Sequence, residues 1–221
     1  MRTRVKICCI RSIEEARTAI EFGASALGLV SEMPTGPGVI SDELIAEIAE
    51  QIPPSIESFL LTSKTDSREI IKQLKEFKTN TVQIVDELET GSYEDIRNAL
   101  SEIKIVQVIH VTGEESVGEA EDVSNFVDAI LLDSGNTKLE KKELGGTGRT
   151  HDWSISKQIV DGVNIPVFLA GGLDPSNVGE AIKTVHPYAV DICSGVRISG
   201  KLDKNKLKAF FNAVASADNI Q

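Results

Sequence analysis

Short apolar runs alternate with longer amphipathic segments along this 221-residue sequence. The apolar runs resemble the near-continuous hydrophobic strands of buried parallel sheets, and the segments between them repeat their apolar residues at helical spacing. We predict eight strands, at residues 4–10, 24–30, 58–62, 81–85, 103–111, 128–133, 165–170 and 189–193. We predict that a helix follows each strand, at residues 12–22, 41–50, 66–77, 92–100, 114–126, 153–160, 175–185 and 203–217.

Eight β-then-α units predict the α/β class and a parallel sheet that closes into a (β/α)₈ TIM barrel. A doubly wound open sheet is the alternative that the same alternation allows. The composition does not shift along the chain, so we expect one barrel domain over residues 1–221. In such a barrel the active site lies at the carboxyl ends of the strands, and that rule selects the candidate residues.

The first strand carries a lysine and two cysteines in an otherwise apolar run. Because side chains alternate along a strand, Lys6 and Cys8 share one face, whereas Cys9 points outward to the helices and is expected to be structural. A nearby ammonium favours a thiolate, so Cys8 is a candidate general base. The alternative is a core strand with a snorkelling lysine and packed cysteines.

Asp133 and two glycine turns lie at the ends of later strands. Asp133 ends an apolar strand, where burial can raise its pKa enough for it to donate a proton; a loop or helix cap is the alternative. Gly171–Gly172 follow the seventh strand and Ser194–Gly195 follow the eighth. Glycine lets backbone N–H groups approach phosphate oxygens, and barrel enzymes often bind phosphate there, although such turns can also be purely structural. A base and an acid facing a small phosphorylated substrate indicate a proton-shuttling isomerase.

Composition narrows the class of partner. The net charge of -11 and a pI near 4.8 argue against nucleic acid and anionic membranes as partners, but not against a small anionic substrate. Three cysteines, two of them adjacent, form no disulfide framework, so we expect a reducing cytoplasm. We see no signal peptide and no apolar run of membrane-spanning length.

The three dispersed histidines match no metal-ligand spacing. His110, at the end of the fifth strand, is either a proton shuttle or a cap.

A set of motifs in chain order resembles the phosphoribosylanthranilate isomerase family. They are Val5-Lys-Ile-Cys8, Gly23-Ala24, Val82-Gln83, Leu131-Leu-Asp133, Gly145-Gly-Thr-Gly148 with Asp152-Trp153, Gly171-Gly-Leu173, and Ser194-Gly-Val196. The resemblance implies a (β/α)₈ barrel that performs an Amadori rearrangement in tryptophan biosynthesis, with no metal or organic cofactor.

The resemblance also implies roles for particular residues. It places the acid on Asp133, which would protonate the ribose ring oxygen as the ring opens to a Schiff base. It places the base on Cys8, which would then remove the C2′ proton. The phosphate would rest on backbone N–H groups of Gly171, Gly172, Ser194 and Gly195, and the loop from residue 145 to residue 150 would fold over it.

The sequence departs from the family pattern at four positions. Cys9 replaces a usual glycine, Asp86 lies in a segment that usually reads Gln-Leu-His-Gly, and Gly38 aligns with the arginine that holds the anthranilate carboxylate. Arg197 replaces a usual glutamate. We expect Lys6, Gln83 and Arg197 to contact the substrate, with Arg197 taking over the carboxylate. The alternative is a related isomerase, or a phosphate-binding barrel, for a different phosphorylated sugar derivative. The oligomeric state stays open.

Overall fold

Eight parallel strands close into one barrel in this computed structural model, which describes residues 2–136, 139, 142–144, 146 and 148–219. Neighbours along the chain are neighbours in the barrel, and β8 returns to pair with β1 through Lys6 and Asp191. The closed order confirms the (β/α)₈ barrel and excludes the open doubly wound sheet. The strands are β1 Arg4–Ile7, β2 Ala26–Val30, β3 Glu57–Thr62, β4 Thr81–Ile84, β5 Lys104–His110, β6 Ala129–Asp133, β7 Val167–Leu169 and β8 Ala189–Ile192.

All eight predicted helices are present, and each follows its strand around the outside of the barrel. They are α1 Ile13–Glu21, α2 Asp42–Gln51, α3 Ser67–Phe77, α4 Tyr93–Ala99, α5 Glu115–Ser124, α6 Trp153–Gly162, α7 Val178–Val185 and α8 Lys204–Asp218. A short 3₁₀ helix, Ser194–Val196, and a two-stranded hairpin follow β8. The hairpin strands are β9 Arg197–Ile198 and β10 Lys201–Leu202, which the sequence pattern did not predict. No helix among the described residues is both long and apolar enough to cross a bilayer.

Side-chain caps begin most of the helices, as the serine and aspartate pattern predicts. At α1 the Ser12 side chain accepts from the Glu15 N–H at 3.1 Å. The reciprocal half of a capping box is missing there, because the Glu15 carboxylate accepts from the Arg11 N–H and pairs with Arg197.

The apolar residues form two layers. The larger layer lies between the strands and the helices, and the smaller one fills the inside of the barrel. Inside, the rings of Phe59 and Phe168 meet edge to face with centroids 5.6 Å apart, and Phe168 meets Tyr188 in the same way at 5.7 Å. Because aromatic rings and Lys6 occupy the barrel interior, it is a packed core, and the open space lies at the carboxyl ends of the strands.

Candidate active site

One cavity opens at the carboxyl ends of the strands and contains about 680 Å³ of space that is continuous with solvent. Six of the predicted site residues line it: Cys8, Gln83, Asp133, Gly171, Gly172 and Ser194. The other described lining residues come mainly from β2, β8 and the loops after β2 and β6. Three other predicted site residues, Lys6, Gly195 and Arg197, are not among them.

The acid candidate, Asp133, is the last residue of β6 and is buried. Burial raises its pKa above the ordinary value, and this effect exceeds the opposite effects of the hydrogen bond from the Ser134 N–H, 2.7 Å long, and of His110. The raised pKa is the direction expected for a carboxyl group that must hold a proton near neutral pH.

The thiol side of the cavity is built by the turn that leaves β1. The strand ends at Ile7, and Cys9 adopts a left-handed backbone with φ of 60°. Such a conformation costs a residue with a side chain about 1–2 kcal/mol. Because the strand alternation has ended, both Cys8 and Cys9 line the cavity. The prediction that Cys9 points outward to the helices is therefore wrong.

A third thiol, Cys193, follows β8 and lines the same cavity. A hydrogen bond between Cys9 and Cys193 lowers the pKa of the Cys193 thiol, and Arg197 adds to that effect. The same hydrogen bond, followed by one to Cys8, raises the pKa of Cys9 well above its ordinary value. The Cys9 Sγ atom also donates to the Pro37 carbonyl oxygen at 3.6 Å.

Lys6 lies beneath the cavity rather than in its wall. Its side chain is fully buried, its Nζ atom is 2.8 Å from Asp191 Oδ2, and it lies 5.0 Å from the ring centroid of Phe59. Burial lowers the pKa of Lys6, but the charge of Asp191, with a smaller contribution from Cys8, leaves it above the ordinary value. A fully buried ammonium committed to Asp191 contradicts the prediction that Lys6 contacts substrate.

Asp191 is a candidate that the sequence reasoning missed. It lines the cavity, and burial raises its pKa despite the ion pair with Lys6. Its Oδ1 atom and the Oε1 atom of Gln83 are buried acceptors without a hydrogen-bond partner among the described residues. Buried acceptors of this kind need a donor, and a ligand hydroxyl in the cavity would supply one. An acid inside the apolar strand 189–193 was the signal in the sequence.

The two glycine turns, after β7 and β8, lie against each other at the carboxyl ends of the strands. A β-carbon on Gly195 would lie 2.2 Å from the carbonyl oxygen of Leu173, so the two backbones touch. The backbone N–H groups of Gly171, Gly172, Ser194 and Gly195 donate to no backbone acceptor in the described part of the chain. They are free to converge on one anionic group.

The loop after β6 lies over Gly172. Gly172 has a φ of 60°, and a β-carbon there would lie 2.5 Å from the carbonyl carbon of Arg149. The predicted covering loop therefore does lie on the glycine turn through residues 149 and 150; residues 145 and 147 are outside the described residues. His151 Nδ1 packs against the adjacent Gly171, and its Nε2 lies 2.7 Å from Ser156 Oγ.

Of the remaining departures, Gly38 meets Cys9 on the thiol side of the cavity, although Gly38 is not among the described lining residues. Gly38 has a φ of 87°, and a β-carbon on it would lie 2.5 Å from Cys9 Cβ, so the two replaced positions are in direct contact. Asp86 pairs with Lys142 outside this cavity. His110 Nε2 lies 2.9 Å from the Val85 carbonyl oxygen, which favours the capping role over a proton shuttle. No lysine or arginine is found among the described lining residues.

Arg197 points away from the cavity. Its guanidinium pairs with Glu15, with Nη1 3.0 Å from Oε1, and donates to the carbonyl oxygens of Cys8, Cys9 and Gly200. These partners occupy both terminal nitrogens. The structure therefore contradicts the prediction that Arg197 takes over the substrate carboxylate.

A buried acid and thiols that line one cavity suit proton transfer. The barrel fold and this cavity at the carboxyl ends of its strands together define a TIM-barrel enzyme of the acid–base type. The family model for N-(5'-phosphoribosyl)anthranilate (PRA) isomerase matches residues 5–213. The chain belongs to this isomerase family, which confirms the resemblance found in the sequence.

Relatives of known name cover nearly the whole chain. An N-(5'-phosphoribosyl)anthranilate isomerase from Methanosarcina acetivorans is 35% identical over 229 residues, covering 97% of this chain and 94% of that protein. A crystal structure of phosphoribosyl anthranilate isomerase from Thermotoga maritima has a TM-score of 0.81 at 31% identity and covers 97% of this chain and 99% of that chain. A phosphoribosyl anthranilate isomerase in complex with reduced 1-(o-carboxyphenylamino)-1-deoxyribulose 5-phosphate has a TM-score of 0.78 at 29% identity, with the same coverage.

Proposed function

We propose that this chain is an N-(5'-phosphoribosyl)anthranilate isomerase that converts an aminoaldose phosphate into an aminoketose phosphate in tryptophan biosynthesis. One observation carries the proposal: Cys8 and the buried Asp133 line the same cavity as two glycine turns with free N–H groups. Family membership selects the Amadori rearrangement from the proton transfers that such a cavity can support.

The chemistry assigns one proton transfer to each side of the cavity. Asp133, whose pKa is raised, holds a proton and gives it to the ribose ring oxygen as the C1′–O bond breaks and the anthranilate nitrogen forms a Schiff base with C1′. The Cys8 thiolate then removes the C2′ proton, and the electron pair neutralises the Schiff base to give an enolamine. Tautomerisation of the enolamine gives the ketone. Turnover should decrease as pH rises through the pKa of Asp133, because the acid loses its proton.

The substrate phosphate has a matching site at the glycine turns. Gly171, Gly172, Ser194 and Gly195 offer backbone N–H groups, and the loop through residues 149 and 150 covers Gly172. The buried acceptors Gln83 Oε1 and Asp191 Oδ1 would accept hydrogen bonds from the ribose hydroxyls. The analogue bound to the related isomerase also carries a 5-phosphate, which supports a small phosphorylated substrate here.

The part of the site around Cys9 and Gly38, which we call the aglycone end, favours a second candidate function. Gly38 occupies the place of the family arginine, and the described wall carries no cation. A carboxylate that lacks a charge-assisted hydrogen bond loses about 1.5–3 kcal/mol of binding. A related isomerase for a phosphorylated sugar derivative with a different aglycone would not incur that loss.

We also infer a cytoplasmic location. The support is that Cys8, Cys9 and Cys193 are free thiols, which persist in reducing compartments.

Turnover of N-(5'-phosphoribosyl)anthranilate by the purified chain tests the function. The matched comparison is the same phosphoribosylamine made from aniline, which lacks the carboxylate. We expect kcat/KM for the anthranilate compound of at least about 10⁴ M⁻¹s⁻¹, the lower end of ordinary enzymes. Turnover of the aniline compound alone would favour the second candidate, and turnover of neither, in a folded protein, would contradict both aminoaldose assignments.

A further inference from the structure

The guanidinium of Arg197 lies behind the thiol side of the cavity. Its side chain is 7% exposed, and both oxygens of Glu15 accept from Nη1, at 3.0 and 3.1 Å. Glu15 also accepts from the backbone N–H groups of Arg11 and Leu202. The ion pair therefore joins the start of α1 to the β9–β10 hairpin, so Arg197 is held in place from outside the cavity.

The other terminal nitrogen of Arg197 reaches the turn after β1. Nη2 donates to the Cys9 carbonyl oxygen at 2.6 Å and to the Cys8 carbonyl oxygen at 3.2 Å. β1 ends at Ile7, and the barrel still binds the chain on either side of the turn, because the Cys8 N–H donates to the Ile192 carbonyl oxygen at 2.8 Å and the Ile10 N–H to the Gly28 carbonyl oxygen at 3.0 Å. Arg197 thus binds the Cys8 and Cys9 carbonyl oxygens between these two anchor points.

This turn needs support because Cys9 has a φ of 60°, a conformation that favours glycine. The left-handed backbone presents both Cys8 and Cys9 to the cavity. If the turn relaxed to an ordinary φ, the peptide between these two cysteines would rotate and Cys8 Sγ would shift relative to Asp133.

We propose that Arg197 is a positioning residue that holds the Cys8–Cys9 turn in its left-handed form and thereby aims the Cys8 thiol at the substrate. The proposal rests on the proposed function, in which Cys8 is the base. Arg197 should therefore affect the rate of the chemical step and not the affinity for substrate. Its side chain contacts Glu15 and backbone carbonyls and does not line the cavity.

Arg197→Ala should lower kcat about 10- to 100-fold while KM for the phosphoribosyl substrate changes by less than about threefold, since small misplacements of a reacting group are costly. Arg197→Lys should show an intermediate loss, because one ammonium cannot reach Glu15 and both carbonyls together. Arg197→Lys also keeps the test available if the alanine variant fails to fold. Arg4→Ala is the matched control, since Arg4 pairs with Glu57 at the other end of β1; its kcat should stay at the wild-type value.

A Cys9→Gly background separates positioning from general structural support. Glycine adopts a positive φ without penalty, so the turn would depend less on the guanidinium. The loss of kcat on Arg197→Ala should therefore shrink at least about fivefold when residue 9 is glycine, as coupled neighbours behave in double-mutant cycles. An equal loss in both backgrounds would overturn the proposal.

Two other results would overturn it: a folded Arg197→Ala variant with wild-type kcat, or one whose KM rises while kcat is kept. The proposed function can fail separately, if wild-type protein does not turn over the substrate. In that case the rate of Cys8 alkylation by iodoacetamide, read by peptide mass spectrometry, tests the positioning alone. We expect it to rise at least about fivefold in Arg197→Ala over Arg4→Ala, because the released turn exposes the thiol; equal rates would contradict the proposal.

Discussion

The two ends of the cavity are built in different ways. The phosphate end consists of backbone: two glycine turns in contact, with free N–H groups and a covering loop. The aglycone end consists of side chains, and there the replaced positions Cys9 and Gly38 touch. Backbone sites depend on a few glycines and tolerate change elsewhere, whereas a side-chain site changes when its packing partners change together.

This contact unites two departures that look independent in the sequence. A side chain at residue 38 would meet Cys9 Cβ at 2.5 Å, so the thiol occupies the space next to residue 38. The carbonyl oxygen of Cys9, whose backbone is left-handed, in turn accepts from Arg197 at 2.6 Å. Three of the four departures from the family pattern are therefore parts of one local rearrangement behind the proposed base.

Acidification should weaken the phosphate end through His151. Burial lowers the pKa of His151 to about 4, partly offset by Asp152. The folded-state pKa is depressed below the ordinary value of 6.5, so this group's contribution to stability is complete above pH 6.5 and is lost as pH decreases towards 4. At about 1.4 kcal/mol per pKa unit, the loss is about 3 kcal/mol.

The measurement is the free energy of unfolding from urea melts at pH 7 and pH 4. His151→Gln should lose less stability on acidification than wild type, by that amount. His186→Asn, at an exposed histidine, is the control and should behave like wild type. If His151→Gln and wild type lose the same stability, His151 is not a buried neutral histidine.

Gly172→Ala should weaken phosphate binding at the glycine turns directly. The substitution places a β-carbon 2.5 Å from the Arg149 backbone at a φ of 60°, so the covering loop and the N–H group must both move. Loss of one charge-assisted hydrogen bond, about 1.5–3 kcal/mol, should raise KM about 10- to 100-fold. Steady-state kinetics provide the measurement, and Gly118→Ala, in open space on α5, is the control. Equal KM values in the two variants would exclude the glycine-turn phosphate site.

Gly38→Ala tests whether the aglycone end is one packing unit. Overpacking against Cys9 should reduce the free energy of unfolding by about 1–3 kcal/mol. In a Cys9→Gly background the loss should be smaller by about 1 kcal/mol, because the nearest contact atoms are gone. Chemical denaturation of the four variants gives this coupling. Strictly additive losses would show that the two positions are independent.

The smallest effect concerns the reactivity of the thiols. Cys193 is partly exposed and its pKa is lowered, whereas Cys9 is buried and its pKa is raised. Iodoacetamide at neutral pH should modify Cys193 several-fold faster than Cys9, as judged by peptide mass spectrometry. Preferential labelling of Cys9 would contradict the hydrogen-bond arrangement at this end.

The barrel and the phosphate end were predictable from sequence for a physical reason. Buried parallel strands leave apolar runs, and turns with positive φ leave glycine, so both are visible locally. The same holds for Asp133, an acid at the end of an apolar strand. The structure confirmed the barrel and placed Asp133 and the glycine turns on one cavity.

The errors came from long-range pairs and from one strand end. Arg197 pairs with Glu15, 182 residues away, and Lys6 pairs with Asp191 across the β1–β8 contact. No local pattern reveals which carboxylate a cation will meet. The direction of Cys9 was mispredicted because the strand stops at Ile7, three residues earlier than the apolar run suggests.

The most direct test of the acid–base assignment is kcat for N-(5'-phosphoribosyl)anthranilate in Asp133→Asn and Cys8→Ala, with thermal unfolding measured on the same samples. Each substitution should lower kcat by about 10²- to 10⁴-fold, the usual contribution of a general acid or base, with the fold intact. A folded variant of either kind that keeps kcat within about threefold of wild type would contradict the assignment of that residue.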